Sequence, residues 1–210
     1  MILGLSSYAT GGKDTVARLI QELQPEKNWR IVKFSGPLKK IASILTGIPE
    51  HKFEDQKFKE SFLGKEWHTE IGTPLDVVFD DVRFMKMMSV REFLQKLGTD
   101  AVRQGLHQNA WVNAAMSGYK KEFIGRDANG SPIEDYPNWI FTDCRFPNEA
   151  QAIKDSGGYV IRIDRSGVRP VNNHPSETAL DGWDFDIKIA NVSDLVALKQ
   201  TVAVVMNLIK

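Results

Sequence analysis

The spacing of the apolar residues changes early in the chain. The opening ILGLSS, residues 2–7, is short and apolar, and the turn-forming residues TGG follow it. After this turn, Val16, Leu19, Ile20 and Leu23 recur at helical spacing. A short apolar run before a glycine-rich turn is typical of a strand, and a repeat of three and four residues is typical of an amphipathic helix. The pattern therefore predicts a strand, a loop and a helix.

The same alternation of strand and helix returns later in the chain. Further strands are predicted at residues 30–34, 139–142, 159–163 and 186–190, and further helices begin at Pro37, Pro147 and Leu195. Proline favours the first turn of a helix because its missing N–H would have no intrahelical partner there. Strands that alternate with helices are typical of a parallel sheet with helices on its faces. We therefore expect an α/β fold.

The middle of the chain has a different pattern. From about residue 47 to residue 89 the apolar spacing is weak, which indicates short helices and loops. Helical spacing returns in residues 90–106, and residues 111–123 are predicted to form a second helix. Residues 125–138 contain an Asn-Gly pair and two prolines, so they are predicted to form an exposed loop or a small hairpin.

Composition and charge restrict the class of protein. The 210 residues are enough for one domain, and 42% of them are hydrophobic without an apolar run long enough to span a bilayer. Basic and acidic residues are equal in number, 27 each, which argues against a surface built to hold polymeric nucleic acid. Cys144 is the single cysteine, so neither an intramolecular disulfide nor a cysteine-rich zinc site can form. The start of the chain has no basic segment before its apolar residues, so we expect a cytoplasmic protein without a signal peptide or membrane anchor.

The loop after the first predicted strand carries the first chemical motif. Its sequence, SYATGGKDT at residues 7–15, resembles a Walker A loop, in which a glycine and a lysine precede a helix. Gly11 and Gly12 permit a close approach of backbone N–H groups to phosphates, and Lys13 is placed to reach the β- and γ-phosphate oxygens. The alternative is an ordinary Gly-Gly turn with a solvated lysine.

Two residues of this loop depart from the Walker A pattern. Ser7 occupies the first glycine position, and Asp14 occupies the position where a serine or threonine normally contacts Mg²⁺. Thr15 or the Asp14 carboxylate is then the candidate metal ligand. The phosphate-binding prediction is unaffected, but the metal contact has two candidates.

A second motif, WIFTDCRFPNEAQAI, lies at residues 139–153. Asp143 ends an apolar strand there, and Arg145 follows it in the turn before the next helix. Ligands bind outside the carboxyl ends of parallel strands, so Asp143 is predicted to hold Mg²⁺ directly or through water. The alternative is that Asp143 is a loop or capping acid and that Arg145 is its surface partner.

Four segments together resemble the viral deoxynucleoside monophosphate kinase family. They are GKDT at 12–15, REFLQKLGTD at 91–100, DCRFPNE at 143–149 and HPSE at 174–177, and their order spans most of the chain. The resemblance implies a three-layer P-loop kinase fold with a parallel sheet and a helical insert that binds the acceptor. As one domain, it would have a core at about 1–46 and 138–210, an insert at about 47–124 and an exposed loop at 125–137.

The resemblance also implies a division of binding roles. Lys13 and Thr15, with the backbone of Gly11 and Gly12, would hold the ATP phosphates. The acceptor nucleotide would be bordered by Arg91, Gly98, Thr99 and Trp111. A guanidinium can grip two phosphate oxygens and an indole offers a face to a base, which is compatible with these roles. For Trp111 the alternative is a core aromatic.

Charged residues near the end of the chain complete the candidate site. Of the three arginines Arg162, Arg165 and Arg169, Arg165 is the best candidate for a lid arginine that stabilises charge on the transferred phosphoryl group. The alternative is a solvated basic loop. Arg145 and Glu177 are candidates for substrate contacts, and Glu177 is expected to pair with an arginine or a nucleotide hydroxyl.

The predicted reaction transfers the γ-phosphoryl group of ATP to a deoxynucleoside monophosphate, with Mg²⁺ bridging the β- and γ-phosphates. One alternative is a kinase for another small metabolite, because related folds share the phosphate loop but not the acceptor pocket. Another is a regulatory module that binds a nucleotide without turning it over. We expect small-molecule substrates, and neither a membrane nor polymeric nucleic acid as a partner. The sequence leaves the oligomeric state open, and a homodimer is one of the alternatives.

Overall fold

A computed structural model of the chain describes residues 1–71, 84–170 and 174–209. The part of the predicted loop region that falls at residues 72–83 lies outside this description. The chain divides into two compact units, which we describe separately. The first comprises residues 1–36 and 112–210, and the second comprises residues 37–111. The insert was predicted at about 47–124, so the second unit begins and ends earlier in the chain.

The described strands and helices follow one another in a regular order. The strands are β1 Ile2–Ser6, β2 Arg30–Val32, β3 Thr69–Ile71, β4 Phe84–Lys86, β5 Glu122–Arg126, β6 Pro132–Asp135, β7 Trp139–Phe141, β8 Tyr159–Arg165 and β9 Ile187–Asn191. The α-helices are α1 Lys13–Leu23, α2 Gly36–Thr46, α3 Gln56–Lys59, α4 Val90–Gln95, α5 Ala110–Met116, α6 Pro147–Asp155, α7 Pro175–Thr178 and α8 Leu195–Leu208. A π-helix follows α4 at Lys96–Gln104, and short 3₁₀ helices lie at Pro25–Lys27, Glu50–Glu54 and Lys65–Trp67.

The first unit is built on a five-stranded parallel sheet. Its strand order is β2-β7-β1-β8-β9, and every pairing is parallel. All five residues of β1 are buried, as expected for a central strand that is covered on both faces. The chain leaves β1 toward β2 on one side and later adds β8 and β9 on the other side. A sheet with this reversal binds ligands outside the carboxyl ends of its strands at the point of reversal.

Helices cover both faces of this sheet. On one face, Val16 and Ile20 of α1 pack with Val202 and Val205 of α8. The other face carries α5 and α6, and Ile153 of α6 belongs to the second core cluster. The α/β fold with a parallel sheet and flanking helices, which the sequence predicted, is confirmed.

A small hairpin is attached to the first unit. Strands β5 and β6 pair antiparallel, with an irregularity between Phe123 and Gly125. The connecting turn contains the Asn-Gly pair, and the Asp127 carboxylate accepts hydrogen bonds from the N–H groups of Asn129 and Ser131 at 2.8 and 2.9 Å. The sequence predicted either an exposed loop or a small hairpin for this region, and the structure contains the hairpin.

The second unit is mostly helical and has its own core. Buried apolar residues of α2, α4 and the 3₁₀ helix Glu50–Glu54 form this core, together with Leu63; they are Ala42, Phe53, Val90 and Phe93. Strands β3 and β4 form a separate antiparallel pair. The sequence predicted short helices and loops here; the short helices are present, but the strand pair of β3 and β4 was not predicted.

Two helix predictions differ from the structure. The predicted helix at 90–106 is α-helical only through Gln95 and continues as the π-helix, whose wider turns are frequent at functional sites. The predicted helix at 111–123 was too long, because α5 ends at Met116 and β5 begins at Glu122. Gly118 follows the end of α5 and lies against the ring of Trp139. Glycine after a helix commonly ends it. Within the described ranges, no helix is both long and apolar enough to cross a membrane.

Candidate active site

The phosphate-loop candidate lies where β1 leaves the centre of the sheet. β1 ends at Ser6, residues 7–12 form the loop, and α1 begins at Lys13. Gly12, the residue before the helix, has φ 103°, which is left-handed backbone that favours glycine. The loop therefore lies at the carboxyl end of a buried parallel strand and at the N-terminus of a helix, where backbone N–H groups are directed at an anion.

Neighbouring side chains lie close to both glycines of the loop. A side chain at Gly11 would overlap the Ser7 hydroxyl, and a Cβ at Gly12 would lie 2.6 Å from Asn191 Nδ2. Asn191 Nδ2 also donates a hydrogen bond of 3.2 Å to the Gly11 carbonyl oxygen. Ser7, which replaces the first Walker A glycine, thus fills the space beside Gly11. Sequence reasoning missed Asn191, although its place as the last residue of β9 was a usable signal.

The Lys13 ammonium lies in a mixed electrostatic environment. Burial lowers its pKa below the ordinary lysine value, and the positive charge of Arg145 lowers it further. The carboxylates of Asp14, Asp143 and Glu177 act in the opposite direction. Among the described residues the ammonium makes no hydrogen bond or ion pair. It therefore remains available to a phosphate.

Asp143 is engaged by the backbone of the loop after β2. Its two carboxylate oxygens accept hydrogen bonds from the N–H groups of Phe34 and Ser35 at 2.8 and 2.9 Å. The Phe34 ring stacks on Phe141 with 4.1 Å between ring centroids. This geometry corresponds to the loop acid that was the alternative to a metal ligand. The carboxylate has further lone pairs, so the metal contact stays a prediction.

Arg145 and Glu177 form a partly buried ion pair. Arg145 Nη1 donates to Glu177 Oε1 at 2.6 Å and to the Ser176 carbonyl oxygen at 3.3 Å. The Glu177 side chain is only 4% exposed, whereas Arg145 is 34% exposed. The Arg145 N–H donates to Glu149 Oε2 at 2.7 Å, which fixes the start of α6. Glu177 thus has an arginine partner, which is one of the two roles predicted for it, and the paired Arg145 lies within electrostatic range of Lys13.

The other predicted donor-side residues also lie around the loop. Arg165 Nη1 donates to the Thr10 carbonyl oxygen at 3.2 Å, so this arginine contacts the loop. Asp14 and Thr15 are exposed in the first turn of α1. In the part of the chain that the structure describes, no three His, Cys, Asp or Glu side chains cluster as ligands of a metal ion.

The predicted acceptor-side residues lie in the second unit. Arg91 donates from Nε and Nη2 to Glu60 Oε1 at 2.9 and 2.5 Å, so its guanidinium is already paired with a carboxylate. Gly98 and Thr99 are buried in the π-helix. Trp111 is 5% exposed, and its Nε1 donates to the Gly98 carbonyl oxygen at 2.8 Å. The indole has almost no exposed surface, which agrees with the core aromatic that was the alternative for Trp111, and its contact with the acceptor stays a prediction.

The chain is similar to proteins of a known family. The model of a family described as Deoxynucleotide monophosphate kinase matches residues 69–202. A protein of Acanthamoeba polyphaga mimivirus is 33% identical over 201 residues, which cover 91% of this chain and 88% of the viral protein. The Deoxynucleotide monophosphate kinase of Enterobacteria phage T4 is 29% identical over 242 aligned positions, which cover 94% of this chain and 95% of the phage protein. For the Deoxynucleoside-5'-monophosphate kinase of Escherichia phage T5, the identity is 23% over 241 positions, with 92% and 90% covered.

These similarities separate the three functions that the sequence left open. The matching family is a family of kinases for deoxynucleotide monophosphates. The similarities therefore favour a kinase for deoxynucleotide monophosphates over a kinase for another metabolite and over a regulatory module that binds a nucleotide without turnover.

Proposed function

Because the chain belongs to the deoxynucleotide monophosphate kinase family and is therefore a phosphotransferase for deoxynucleoside monophosphates, we propose that ATP is its phosphoryl donor and binds at residues 7–15. The observation that carries the proposal is the position of Lys13. It begins α1 directly after two closely packed glycines, of which Gly12 has left-handed backbone, at the carboxyl end of the central strand. An ammonium that has no hydrogen-bond or ion-pair partner among the described residues can follow the γ-phosphoryl group through the transfer.

Mg²⁺ is the second component that we propose. Mg²⁺ is commonly bound by one or two carboxylates together with substrate phosphates, so the residues present fit it without a separate three-ligand cluster. Asp14 and Thr15 are exposed at the start of α1, and Asp143 lies within electrostatic range of Lys13. When bound, the ion would be held by Asp14, Thr15 or Asp143 together with the substrate phosphates, and it would neutralise their negative charge.

The arginines of the first unit then have distinct roles. Arg145, held by Glu177 at 2.6 Å, keeps a second positive charge close to Lys13. Arg165, which contacts the loop through Thr10, is the candidate lid arginine. Both would stabilise the charge that spreads over the equatorial oxygens of the transferred group. On the acceptor side, Arg91 is the candidate that binds the phosphate of the deoxynucleoside monophosphate.

The relatives come from a virus and from bacteriophages. Their origin supports the proposal that the chain acts in the cytoplasm of an infected cell.

The test is a coupled assay of ADP formation with each common nucleoside monophosphate, run on the wild-type chain and on Lys13→Met. The variant should lose nearly all turnover, which corresponds to a loss of several kcal/mol of transition-state stabilisation. Its free energy of unfolding should not fall, because burial and Arg145 already disfavour the charged lysine in the folded chain.

The matched control is Lys199→Met, which removes the exposed ion pair between Lys199 of α8 and Glu22 of α1. It should leave turnover unchanged. A folded Lys13→Met variant with near-normal turnover would refute the phosphate-loop proposal. ADP formation that requires no deoxynucleoside monophosphate would refute the assignment of this nucleotide as the phosphoryl acceptor.

A further inference from the structure

Arg162, on β8, is a buried arginine beside the phosphate loop that the proposed reaction does not use. The residue is 8% exposed. Its guanidinium carbon lies 4.5 Å from the centroid of the Tyr8 ring and 5.7 Å from that of the Phe185 ring. A cation at these distances from an aromatic face is attracted by the ring quadrupole, more strongly when water is excluded. Tyr8 is a residue of the phosphate loop, so Arg162 contacts the loop through this ring.

The guanidinium is fixed by polar contacts as well. Nε donates to Asp164 Oδ1 at 3.0 Å, and Nη1 lies 3.5 Å from the Ser6 hydroxyl oxygen. Asp181 Oδ1 lies 3.7 Å from Nη2 and accepts a hydrogen bond of 2.8 Å from the Tyr8 hydroxyl. Arg162 therefore contacts the residues on both sides of Ser7, at the entrance to the loop.

Tyr8 is hydrogen-bonded to the part of the loop that would face phosphate. The Tyr8 carbonyl oxygen accepts a hydrogen bond of 3.1 Å from the Gly11 N–H, which closes a turn. This turn determines where Gly11 lies and thereby where Gly12 leads into α1. We propose that Arg162 is a positioning residue that holds the conformation of residues 7–12 through the Tyr8 ring. Its effect on nucleotide binding rests on the proposed function, because it requires that ATP binds to this loop.

The cavity beside Arg162 makes the proposal testable by chemical rescue. Arg162, Tyr8 and Asp181 line a cavity of about 240 Å³ together with four other residues. The Asp164 and Asp181 side chains in its wall are 57% and 43% exposed, so solvent reaches the cavity. In Arg162→Ala, a guanidinium ion at millimolar concentration can therefore occupy the place of the lost side chain.

Two measurements are made on each variant. The first is amide hydrogen exchange of residues 7–12 in the nucleotide-free protein, and the second is steady-state kinetics with separate KM values for ATP and for the acceptor. Arg162→Ala should speed exchange in the loop and raise the KM for ATP about tenfold, within the range for a desolvated cation–π contact, while the acceptor KM changes little. Guanidinium should reverse both effects, whereas urea at the same concentration should not.

Tyr8→Leu is the second variant, in case Arg162→Ala does not fold. It keeps Arg162 and removes the aromatic face, so it should speed exchange in the loop in the same way but without rescue by guanidinium. Arg30→Ala is the matched control, because Arg30 is an exposed arginine paired with Glu122 at 2.6 Å on another part of the same unit. It should change neither the exchange nor the KM for ATP.

The outcomes separate this proposal from the proposed function. Unchanged loop exchange in a folded Arg162→Ala variant, or faster exchange that guanidinium does not reverse, would overturn the positioning role. Faster exchange that guanidinium reverses, with an unchanged KM for ATP, would support the positioning role and refute ATP binding at the loop.

Discussion

Replacing Asp143 by asparagine should reduce the stability of the chain, and the size of the effect follows from two hydrogen bonds. The carboxylate accepts one from the Phe34 N–H and one from the Ser35 N–H, at 2.8 and 2.9 Å. An asparagine has a single acceptor oxygen, so its NH₂ group would face one of these two donors. Leaving a buried donor without an acceptor costs about 1–3 kcal/mol. We expect the free energy of unfolding to fall by about this amount.

The measurement is urea unfolding of Asp143→Asn with the slope of the denaturant dependence compared to wild type. The control is Asp155→Asn, because Asp155 is exposed and accepts only a side-chain hydrogen bond from Gln151. An asparagine oxygen can still accept that bond, so the control should be as stable as wild type. Turnover is measured in parallel across Mg²⁺ concentrations, at a temperature where the variant is folded.

Two separate results would contradict this reasoning. A loss of stability no larger than that of the Asp155→Asn control would show that the two N–H groups find other acceptors. A folded variant with the wild-type dependence on Mg²⁺ and the wild-type turnover would show that Asp143 shapes the loop without contacting the metal. The first result concerns the fold and the second concerns the site.

Two further predictions concern single residues. Arg91→Lys should raise the acceptor KM and cost about 1–3 kcal/mol in kcat/KM, because an ammonium cannot grip two phosphate oxygens; an unchanged acceptor KM would exclude Arg91 from the pocket. Burial raises the pKa of the Cys144 thiol well above its ordinary value, so a thiol reagent should label the folded chain only as fast as it unfolds. The same shift contributes stability that is present below the ordinary thiol pKa and is lost as pH rises toward the folded pKa, a loss that Cys144→Ala should remove.

The sequence predicted those parts of the molecule that depend on neighbouring residues. The change from a short apolar run to helical spacing, with Gly11, Gly12 and Lys13 between them, was enough to predict the loop between β1 and α1. Asp143 was also predicted correctly to lie at the carboxyl end of a strand. In both cases the deciding signal is local, because periodicity and turn chemistry act over a few residues.

The parts that were missed depend on contacts between distant segments. Asn191 reaches Gly11 only because β9 and β1 lie on either side of β8 in the sheet. Arg162 meets Tyr8 for the same reason, because β8 pairs with β1. The burial of Trp111 was likewise unpredictable from spacing, since a tryptophan on a helix can serve packing or binding. Strand order and side-chain burial are properties of the assembled fold rather than of the local pattern.

The charge balance around Lys13 predicts that nucleotide binding itself, and not only turnover, depends on Mg²⁺. One further cation, Arg145, and three carboxylates, those of Asp14, Asp143 and Glu177, lie within electrostatic range of Lys13. The carboxylates outnumber the cations, so the triphosphate of free ATP would meet a site without excess positive charge. A divalent cation reverses this balance. ATP should therefore bind much more weakly in EDTA than with Mg²⁺ in a calorimetric titration, and Asp14→Asn should reduce the difference. Equal affinity of free ATP and MgATP for the wild-type chain would show that other cations, such as Arg165, already compensate the phosphates.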